Sequence, residues 1–537
     1  MNAELTQQIN FILEEMKDLY LQDTDPWIIG YSGGKDSTTV VQLVFTMLMN
    51  LPKNYRHKPV HIVSSDTLIE NPIVLAVLKG TLEQIEMGAR RIDIPLYTHM
   101  VHPEYSNSYW ANVIGKGLPT PTSIRFRWCT ERLKIKPSNQ FILDQIKENG
   151  RVIVLLGVRK AESIAREMRI KKREIDGYLL SPHATLNGAY VYNPIVELTT
   201  EDVWGFLLNN NGATPWGTSN NELFELYADG DGGECPFTNT SDAPSCGNSR
   251  FGCWICTVVA KDKSLTGFIK SGETGLQPLL DFREWIISNR NNHDYRMHYR
   301  RDGNHYYKKV YIDSLPLLDD YVIDENHIFQ SEDGSLYIDL KKKITDNDDV
   351  ESNNSDKLFV DMISTIVSED NKLKLNPDKI KTEGAKKYID VLGYGPFNFK
   401  GRQAILRKLL ETQKLINEEY EDVVLITQHE LEEIDKIWDN ETDLSQRVLV
   451  DLYYDVMHEK LPWDSYKKPL FDDDTRKAIY SLCEEQNIDT DLVSKLLIET
   501  NKYKHFTNKS ILDKATNKIL NQRYLHKELV EGITNDN

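Results

Sequence analysis

Apolar residues in the first 210 positions alternate between short continuous runs and helical spacing. Continuous runs, typical of strands buried on both faces, occur at 27–31, 59–63 and 152–158. Apolar residues recurring every three or four positions, typical of amphipathic helices, occur in 4–21, 38–49 and 72–90. This alternation predicts a doubly wound, parallel α/β sheet, and a further short strand is expected at 91–96.

The end of the chain has a different pattern. An acidic, Asn- and Ser-rich stretch at 346–356 indicates a linker, and helical spacing dominates beyond it. We therefore predict three regions: an α/β domain over 1–230, a cysteine-rich region with a following α/β segment over 231–345, and a mainly helical domain over 357–537.

A glycine-rich turn joins the first strand to the helix at 38–49. Its sequence is Ser-Gly-Gly-Lys-Asp-Ser, residues 32–37. Gly33 and Gly34 allow the backbone to approach an anion closely, and a helix N-terminus presents N–H groups to it. Lys35 adds a positive charge, while Ser32 and Ser37 add hydroxyl donors. The turn predicts a phosphate-binding loop, against the simpler alternative of an ordinary strand-to-helix turn.

Polar residues follow two other strands, at the sheet edge where ligands bind in such folds. Asp66 follows the second strand, and Gly157 and Arg159 end the third continuous run. Asp66 can meet a nucleotide or cap the next helix. Arg159 can pair with phosphate oxygens through two N–H groups, or lie on the surface at a helix start.

The chain has six cysteines, four of them within residues 235–256. Such clustering favours a metal or catalytic site over disulfides. The spacing Cys-x₁₀-Cys-x₆-Cys-x₂-Cys is irregular, which favours an iron–sulfur cluster over zinc held by two short knuckles. We predict a [4Fe–4S] cluster on Cys129, Cys246, Cys253 and Cys256, with Cys235 as alternative ligand or sulfur acceptor. Cys483 stands alone and is expected to be a buried small side chain.

Composition narrows the class of protein. The chain has 537 residues, 40% hydrophobic and 27% charged, with a formal net charge of −18. The sequence has neither an apolar run of membrane-spanning length nor a signal-peptide pattern, so a cytoplasmic location is expected. The acidity excludes a uniformly basic surface, so contact with nucleic acid requires local basic segments or a partner subunit. One such segment, 125–137, carries five basic residues and a cysteine.

Residues 32–37 lack the Gly-x₄-Gly-Lys-Ser/Thr pattern of P-loops. They resemble instead the PP-loop of ATP pyrophosphatases and sulfonucleotide reductases. Residues 27–37 and four further segments resemble the corresponding parts of the DndC family of DNA phosphorothioation sulfurtransferases, which are relatives of PAPS reductase. The four segments are 64–72, 126–137, 156–163 and 246–256. The resemblance covers about residues 5–345 closely.

The resemblance implies an adenine nucleotide alpha hydrolase-like fold, ATP pyrophosphatase activity with Mg²⁺ near Asp36, a [4Fe–4S] cluster, and replacement of a non-bridging DNA phosphate oxygen by sulfur. It also implies a cysteine desulfurase as sulfur donor and DndD- and DndE-like subunits as partners. We expect Lys35, Asp36 and Arg159 to be catalytic. The residues expected to bind the nucleotide are Ser32, Gly33, Gly34, Lys35, Asp36, Ser37, Asp66, Gly157 and Arg159.

One position departs from the relatives. Many sulfonucleotide reductases have two adjacent cysteines where Trp128 and Cys129 stand.

Three other functions are alternatives to DNA phosphorothioation by a DndC-like enzyme. They are an SspD-like enzyme acting on single strands, a sulfonucleotide reductase or RNA thiolation enzyme, and a zinc-bearing scaffold with a degenerate nucleotide site. The intact loop at 32–37 speaks against the last.

Overall fold

The structure is a computed structural model of the chain. It describes residues 1–300 except 124–125, 163, 174, 176–177, 231–250 and 298–299, and the backbone of eight short strands between 307 and 392. It then describes residues 394–520 except 442–446, 464–472, 487, 489, 504 and 506–508.

A six-stranded sheet organises the N-terminal part, in the order β3-β2-β1-β4-β6-β5. Its strands are β1 Trp27–Gly30, β2 Val60–Ser65, β3 Leu96–Val101, β4 Val152–Leu155, β5 Ser181–Pro182 and β6 Ala189–Tyr192. All neighbouring strands pair in parallel except the edge strand β5, which is antiparallel to β6. The predicted parallel α/β fold is therefore confirmed, with β1 flanked by β2 and β4.

Nine α-helices accompany this sheet in the described part of residues 1–300. They are α1 Ala3–Leu21, α2 Lys35–Asn50, α3 Pro72–Arg91, α4 Lys136–Asn149, α5 Ile164–Lys171, α6 Thr200–Leu207, α7 Asn221–Gly230, α8 Lys263–Lys270 and α9 Gln277–Asn289. The predicted strand at 91–96 is wrong in position, because α3 continues to Arg91 and Asp93 turns the chain with φ 59°. The strand begins only at Leu96.

Both faces of the sheet are buried, as the continuous apolar runs predict. One face carries Trp27 and Ile29 of β1, which pack in a large core with side chains of α1, α2, α3 and α6. The opposite face carries Ile28, which packs with Val154 and with Ile142 of α4. Successive strand residues point to opposite faces, so a strand covered on both sides must be apolar throughout.

The C-terminal region is mainly helical, but its first part is not. Strands occupy Lys372–Leu375, Ile380–Glu383 and Lys386–Leu392, where the sequence pattern predicts helix. Six helices follow in the described residues: Phe399–Ile416, Gln428–Glu441, Val448–Met457, Asp473–Glu485, Thr490–Lys502 and Lys509–Leu520. The predicted linker at 346–356 lies outside the described residues.

The chain divides into two compact units, and both are discontinuous in sequence. Unit 1 consists of residues 1–109, 121–283 and 412–425, and unit 2 of 110–120, 284–411 and 426–537. The boundaries predicted at 230, 345 and 357 stay predictions. Among the described residues, no helix is long and apolar enough to cross a membrane.

Candidate active site

The predicted phosphate-binding loop lies at the carboxyl end of β1, in the middle of the sheet. Gly33 has φ +74°, and a Cβ atom there would lie 3.1 Å from Leu78 Cδ1. The Ser37 hydroxyl donates to the Gly34 carbonyl at 2.9 Å and accepts from the Ser32 backbone N–H at 3.2 Å. These bonds close the loop onto the first turn of α2, whose N–H groups face the same edge of the sheet.

Asp36 is held between two basic side chains. Its Oδ1 atom accepts from Arg159 Nε at 2.7 Å, and its Oδ2 atom lies 3.4 Å from Lys35 Nζ. The Arg159 side chain is 2% exposed, and it also donates to the Leu198 carbonyl and the Thr200 hydroxyl. Arg159 therefore joins the ends of β1 and β4 and orients the Asp36 carboxylate.

Gly157 packs directly against the loop. A Cβ atom at this position would lie 2.8 Å from the carbonyl oxygen of Asp36 and 2.9 Å from the Ser37 nitrogen. Any larger residue would push the end of β4 away from the first turn of α2. Gly157 therefore allows close backbone packing beneath the loop, and its nucleotide-binding role stays a prediction.

Tyr227 of α7 is a residue of this site that the sequence analysis missed. Its hydroxyl accepts the Lys35 backbone N–H at 3.3 Å, and Lys35 Nζ lies 5.5 Å from the centre of its ring. Burial raises the pKa of Tyr227 to about 12, so the hydroxyl stays protonated at neutral pH. In the sequence, Tyr227 is marked only by its helical spacing from a second aromatic residue, Phe224. This pattern predicts core residues equally well.

Asp66 lies at the carboxyl end of β2 and is 9% exposed. Its Oδ1 atom accepts the Leu68 N–H at 2.8 Å and so shapes a turn in which Leu68 has φ 65°. Asn71, and not Asp66, caps α3, since its side chain accepts the Ile73 N–H at 3.0 Å. Asp66 thus shapes the chain beside the loop rather than the helix start.

The Cys-x₂-Cys turn packs against the segment that follows β2. Cys253 forms an isolated antiparallel bridge with Glu70, and the Trp254 N–H donates to the Ile69 carbonyl at 3.2 Å. The Thr67 hydroxyl lies 3.6 Å from Cys253 Sγ. The Cys256 N–H donates to the Cys253 carbonyl at 3.0 Å, which closes the turn.

Charged groups surround these thiols. Burial raises the pKa of Cys253 to about 12, with Glu70 adding to the effect and Lys134 opposing it. Lys134 Nζ lies 3.0 Å from Glu70 Oε1. Burial also raises the pKa of Cys129, and the nearby Arg127 opposes the rise. The raised pKa values keep the thiols of Cys129 and Cys253 protonated at neutral pH unless a metal stabilises the thiolates.

Three of the four predicted ligands lie in one region. The thiol of Cys256 raises the pKa of both Cys129 and Cys253, which requires all three to be near one another. Cys246 and Cys235 lie outside the described residues. In the described part of the chain, no three His, Cys, Asp or Glu side chains are grouped closely enough to hold a metal ion. Thiols such as those of Cys129, Cys253 and Cys256 suit a soft metal or an iron–sulfur cluster. The assignment of these cysteines as ligands stays a prediction.

Cys483 lies apart, in the helix Asp473–Glu485, and is 5% exposed. Its burial agrees with the expected role as a small core side chain.

The chain thus has a parallel α/β sheet with a Ser-Gly-Gly-Lys-Asp-Ser loop at the end of its central strand, a fold of the PP-loop type. Residues 26–259 match the phosphoadenosine phosphosulfate (PAPS) reductase domain. This part of the chain is therefore similar to PAPS reductase domains.

Individual relatives are distant. An uncharacterized protein of Methanocaldococcus jannaschii is 24% identical over 241 residues, which cover 45% of this chain and 38% of that protein. The chain thus spans about two fifths of that curated relative's length.

Solved structures match at low similarity. PAPS reductase from Candida auris is 14% identical, with a TM-score of 0.25, covering 42% of this chain and 92% of that chain. The U34-tRNA thiolase NcsA from Methanococcus maripaludis, solved with its [4Fe-4S] cluster, is 12% identical, with a TM-score of 0.24, covering 52% and 80%. FMN adenylyltransferase of Candida glabrata, in complex with FMN and an ATP analogue, is 13% identical, with a TM-score of 0.26, covering 43% and 64%.

Proposed function

We propose that this chain is an ATP-dependent sulfurtransferase that replaces a non-bridging oxygen of a DNA phosphate with sulfur, within a DNA modification and restriction system. The observation that supports the proposal is the shared edge of two sites. The phosphate-binding loop follows β1, and the Cys-x₂-Cys turn packs on residues 67–70, which follow the adjacent parallel strand β2. Adjacent strands lie about 4.8 Å apart, so a nucleotide and sulfur can meet at this edge.

The reaction has two steps. A non-bridging oxygen of the DNA phosphate attacks the α-phosphorus of ATP, the bond to the β-phosphate breaks, and pyrophosphate leaves. Hydrosulfide then attacks the activated DNA phosphorus, the bond to the AMP oxygen breaks, and AMP leaves with a proton released to solvent. Activation is needed because an unmodified phosphate oxygen is a poor leaving group.

The residues of the loop serve the first step. Ser32, Gly33 and Gly34 would hold the pyrophosphate part of ATP, and Lys35 would neutralise charge as it develops on the leaving group. Arg159 fixes Oδ1 of Asp36. The other oxygen, Oδ2, is then the one available to Mg²⁺, which would supply further charge neutralisation.

The cysteine turn serves the second step. A [4Fe–4S] cluster on Cys129, Cys253, Cys256 and either Cys246 or Cys235 would supply a place for sulfide near the activated phosphate. Lys134 and Arg127 lower the electrostatic penalty of negative sulfur there, because both oppose the rise in thiol pKa. The hydrosulfide would come from a cysteine desulfurase, and DndD- and DndE-like subunits would complete the assembly.

The test is mass spectrometry of nuclease-digested DNA from cells that carry the chain with its partner genes. Phosphorothioate dinucleotides are expected with the wild-type chain and should be lost with Asp36→Ala. Asp144→Ala, which removes an exposed carboxylate from α4, is the matched control and should retain them. Persistence of the dinucleotides in Asp36→Ala, or their absence throughout, contradicts the proposal.

A sulfonucleotide reductase is the second candidate, supported by the domain match over residues 26–259. It predicts release of sulfite from adenosine phosphosulfate or PAPS when a dithiol reductant is supplied. Sulfite release that depends on Asp36, together with unmodified cellular DNA, would favour this candidate over DNA modification.

A further inference from the structure

Unit 2 contains a segment from the N-terminal half of the chain. Residues 110–120 lie between β3 and α4 in sequence, yet they belong to unit 2 together with 284–411 and 426–537. The chain therefore enters unit 2 after residue 109, leaves it after residue 120 and enters it again after residue 283. At all three crossings, the part of the chain that stays in unit 1 contacts a cysteine-bearing segment.

Unit 2 holds this segment by its backbone. Residues 111–115 form a π-helix, and all five are buried. The Trp438 indole N–H donates to the Ile114 carbonyl at 3.0 Å, and the Arg402 guanidinium donates to the Gly115 carbonyl at 2.5 Å. Both donors lie on buried side chains. π-Helices are rare and occur frequently at functional sites. The segment therefore has an unusual conformation that buried side chains of unit 2 hold in place.

Gly117 brings the segment into direct backbone contact with another part of unit 2. Its carbonyl accepts the Phe397 N–H at 2.7 Å, and its φ is +69°. A Cβ atom at Gly117 would lie 2.5 Å from the Phe397 carbonyl oxygen, which is closer than a Cβ atom can come to a backbone oxygen. Any side chain at this position would therefore push residues 110–120 away from the rest of unit 2.

Both ends of the segment contact residues that adjoin predicted cluster ligands. The ring of Tyr109 stacks on Trp128, with 5.6 Å between ring centres and 20° between ring planes, and Trp128 directly precedes Cys129. At the other end, the Pro121 carbonyl accepts the Thr257 hydroxyl at 2.5 Å, and Thr257 directly follows the Cys-x₂-Cys turn. Because one end contacts the Cys129 segment and the other contacts the turn, the shape of the segment affects the separation of the two.

Helix α9 makes the third crossing. The boundary between the units lies within this helix, after Arg283. The buried Arg283 side chain donates from Nε to the Cys256 carbonyl at 2.9 Å and from Nη2 to the Val259 carbonyl at 2.5 Å. The first half of α9 therefore fixes the end of the cysteine turn within unit 1, while the second half belongs to unit 2. Since a helix is a rigid element, a shift of its second half would reach the turn.

We propose that unit 2 positions the cysteines: by holding residues 110–120 and the second half of α9, it fixes Cys129 relative to the Cys-x₂-Cys turn. Trp438, Arg402 and Gly117 are then positioning residues, which act on the cysteine site through the segment that they hold. This role rests on the proposed function for the part that the cysteines play. It gives the C-terminal region, in which the sequence has no recognisable catalytic motif, a task in the same reaction.

The test measures how fast iodoacetamide labels each cysteine of the purified full chain, after a chelator has removed bound metal, with peptide mass spectrometry as the readout. Gly117→Ala separates the segment from Phe397 and should speed the labelling of Cys129 and Cys256 at least about tenfold, because contacts that oppose local opening are lost. Trp438→Phe removes one hydrogen bond and should speed the labelling of both about two- to tenfold. Hydrogen exchange of the Cys256 N–H should become faster in the same two variants.

The matched control is Gly150→Ala. Gly150 ends α4 with φ +81°, and a Cβ atom there would have no neighbour within 4 Å. Alanine at this position therefore brings similar backbone strain without pushing two segments apart, and the variant should be labelled at the wild-type rates. Cys483, which is 5% exposed in unit 2, is an internal control. It should stay protected in every variant, because unit 2 remains folded.

Equal labelling rates in Gly117→Ala and the control variant would overturn the positioning role. If Gly117→Ala also exposes Cys483, unit 2 has unfolded and Trp438→Phe decides. Wild-type rates in that variant, or rates that rise together with the rate of Cys483, overturn the role. The labelling requires neither ATP nor DNA, and the phosphorothioate assay with Asp36→Ala decides the proposed function separately. Faster labelling without phosphorothioates contradicts the function alone, and phosphorothioates with unchanged labelling contradict the positioning role alone.

Discussion

Gly33 in the phosphate-binding loop and Gly80 in α3 should respond in opposite ways to substitution by alanine. Gly33 has φ +74° and faces Leu78, whereas Gly80 lies inside α3, and a Cβ atom there would have no neighbour within 4 Å. Gly33→Ala should cost about 1–2 kcal/mol of unfolding free energy and abolish ATP binding. Gly80→Ala should stabilise the chain by about 0.5–1 kcal/mol. Urea denaturation and ATP titration measure both, and equal behaviour of the two variants would contradict the geometry.

Arg159 is the second residue whose removal is informative. Arg159→Ala leaves the Asp36 carboxylate without its buried partner, so the free energy of unfolding should fall by about 3 kcal/mol. The kcat of ATP pyrophosphate release should fall more than the KM for ATP rises, because Asp36 loses its orientation. Arg159→Lys keeps the charge but not the fork of donors, and should recover stability better than kcat. A rise in KM alone would instead make Arg159 a direct phosphate ligand.

The loop could be predicted from the sequence because all of its parts lie within six consecutive residues. Its supports could not. Arg159 reaches Asp36 from 123 positions away, and Tyr227 reaches Lys35 from 192 positions away. Such pairings depend on the order of strands in the sheet, which short-range spacing does not encode.

At the scale of elements, strands buried on both faces could be predicted and strands at sheet edges could not. β3, with the sequence Leu-Tyr-Thr-His-Met-Val, pairs on one side only and keeps polar residues on its surface, so its pattern is also typical of a loop. In the strands between 372 and 392, lysines are interspersed with apolar residues, and this spacing also fits an amphipathic helix. A mixed pattern over few residues fits either period.

The pair of histidines between β2 and β3 predicts a pH effect. His61 Nδ1 lies 3.0 Å from His99 Nε2, and burial, with a smaller contribution from His99, lowers the pKa of His61 from 6.5 to about 4. The folded chain therefore binds fewer protons here than the unfolded chain between these values, and stability falls as pH drops from 6.5 towards 4. The melting temperature of His61→Leu should fall less over this range than that of the wild type. His458→Asn, at an exposed histidine, should follow the wild type.

At the scale of the whole molecule, unit 1 depends on a segment far along the chain. Residues 412–425 belong to it, and Tyr420 donates a hydrogen bond to Glu273. A Cβ atom on Gly275 would lie 2.7 Å from Cε2 of Tyr420, so the two segments are in close contact. Ile416 and Leu425, both almost fully buried, lie in this segment.

Truncation tests this dependence. A chain ending at residue 345 loses residues 412–425, and unit 1 should lose about 3 kcal/mol or more, the scale of exposing two large apolar side chains. A chain ending at residue 520 retains every segment of unit 1 and is the control. Urea denaturation in the presence of ATP measures the loss, and equal stability of the two chains would show that residues 412–425 are dispensable.

The late position of residues 412–425 also has a consequence during synthesis. About 130 residues separate position 283 from position 412, and ribosomes add about 5–20 residues per second. The sheet, the loop and the cysteine turn therefore leave the ribosome about 7–26 s before the segment that completes their unit. Throughout that interval the surface around Gly275 stays uncovered, so a newly made chain exposes this surface to chaperones and proteases until residues 412–425 have emerged.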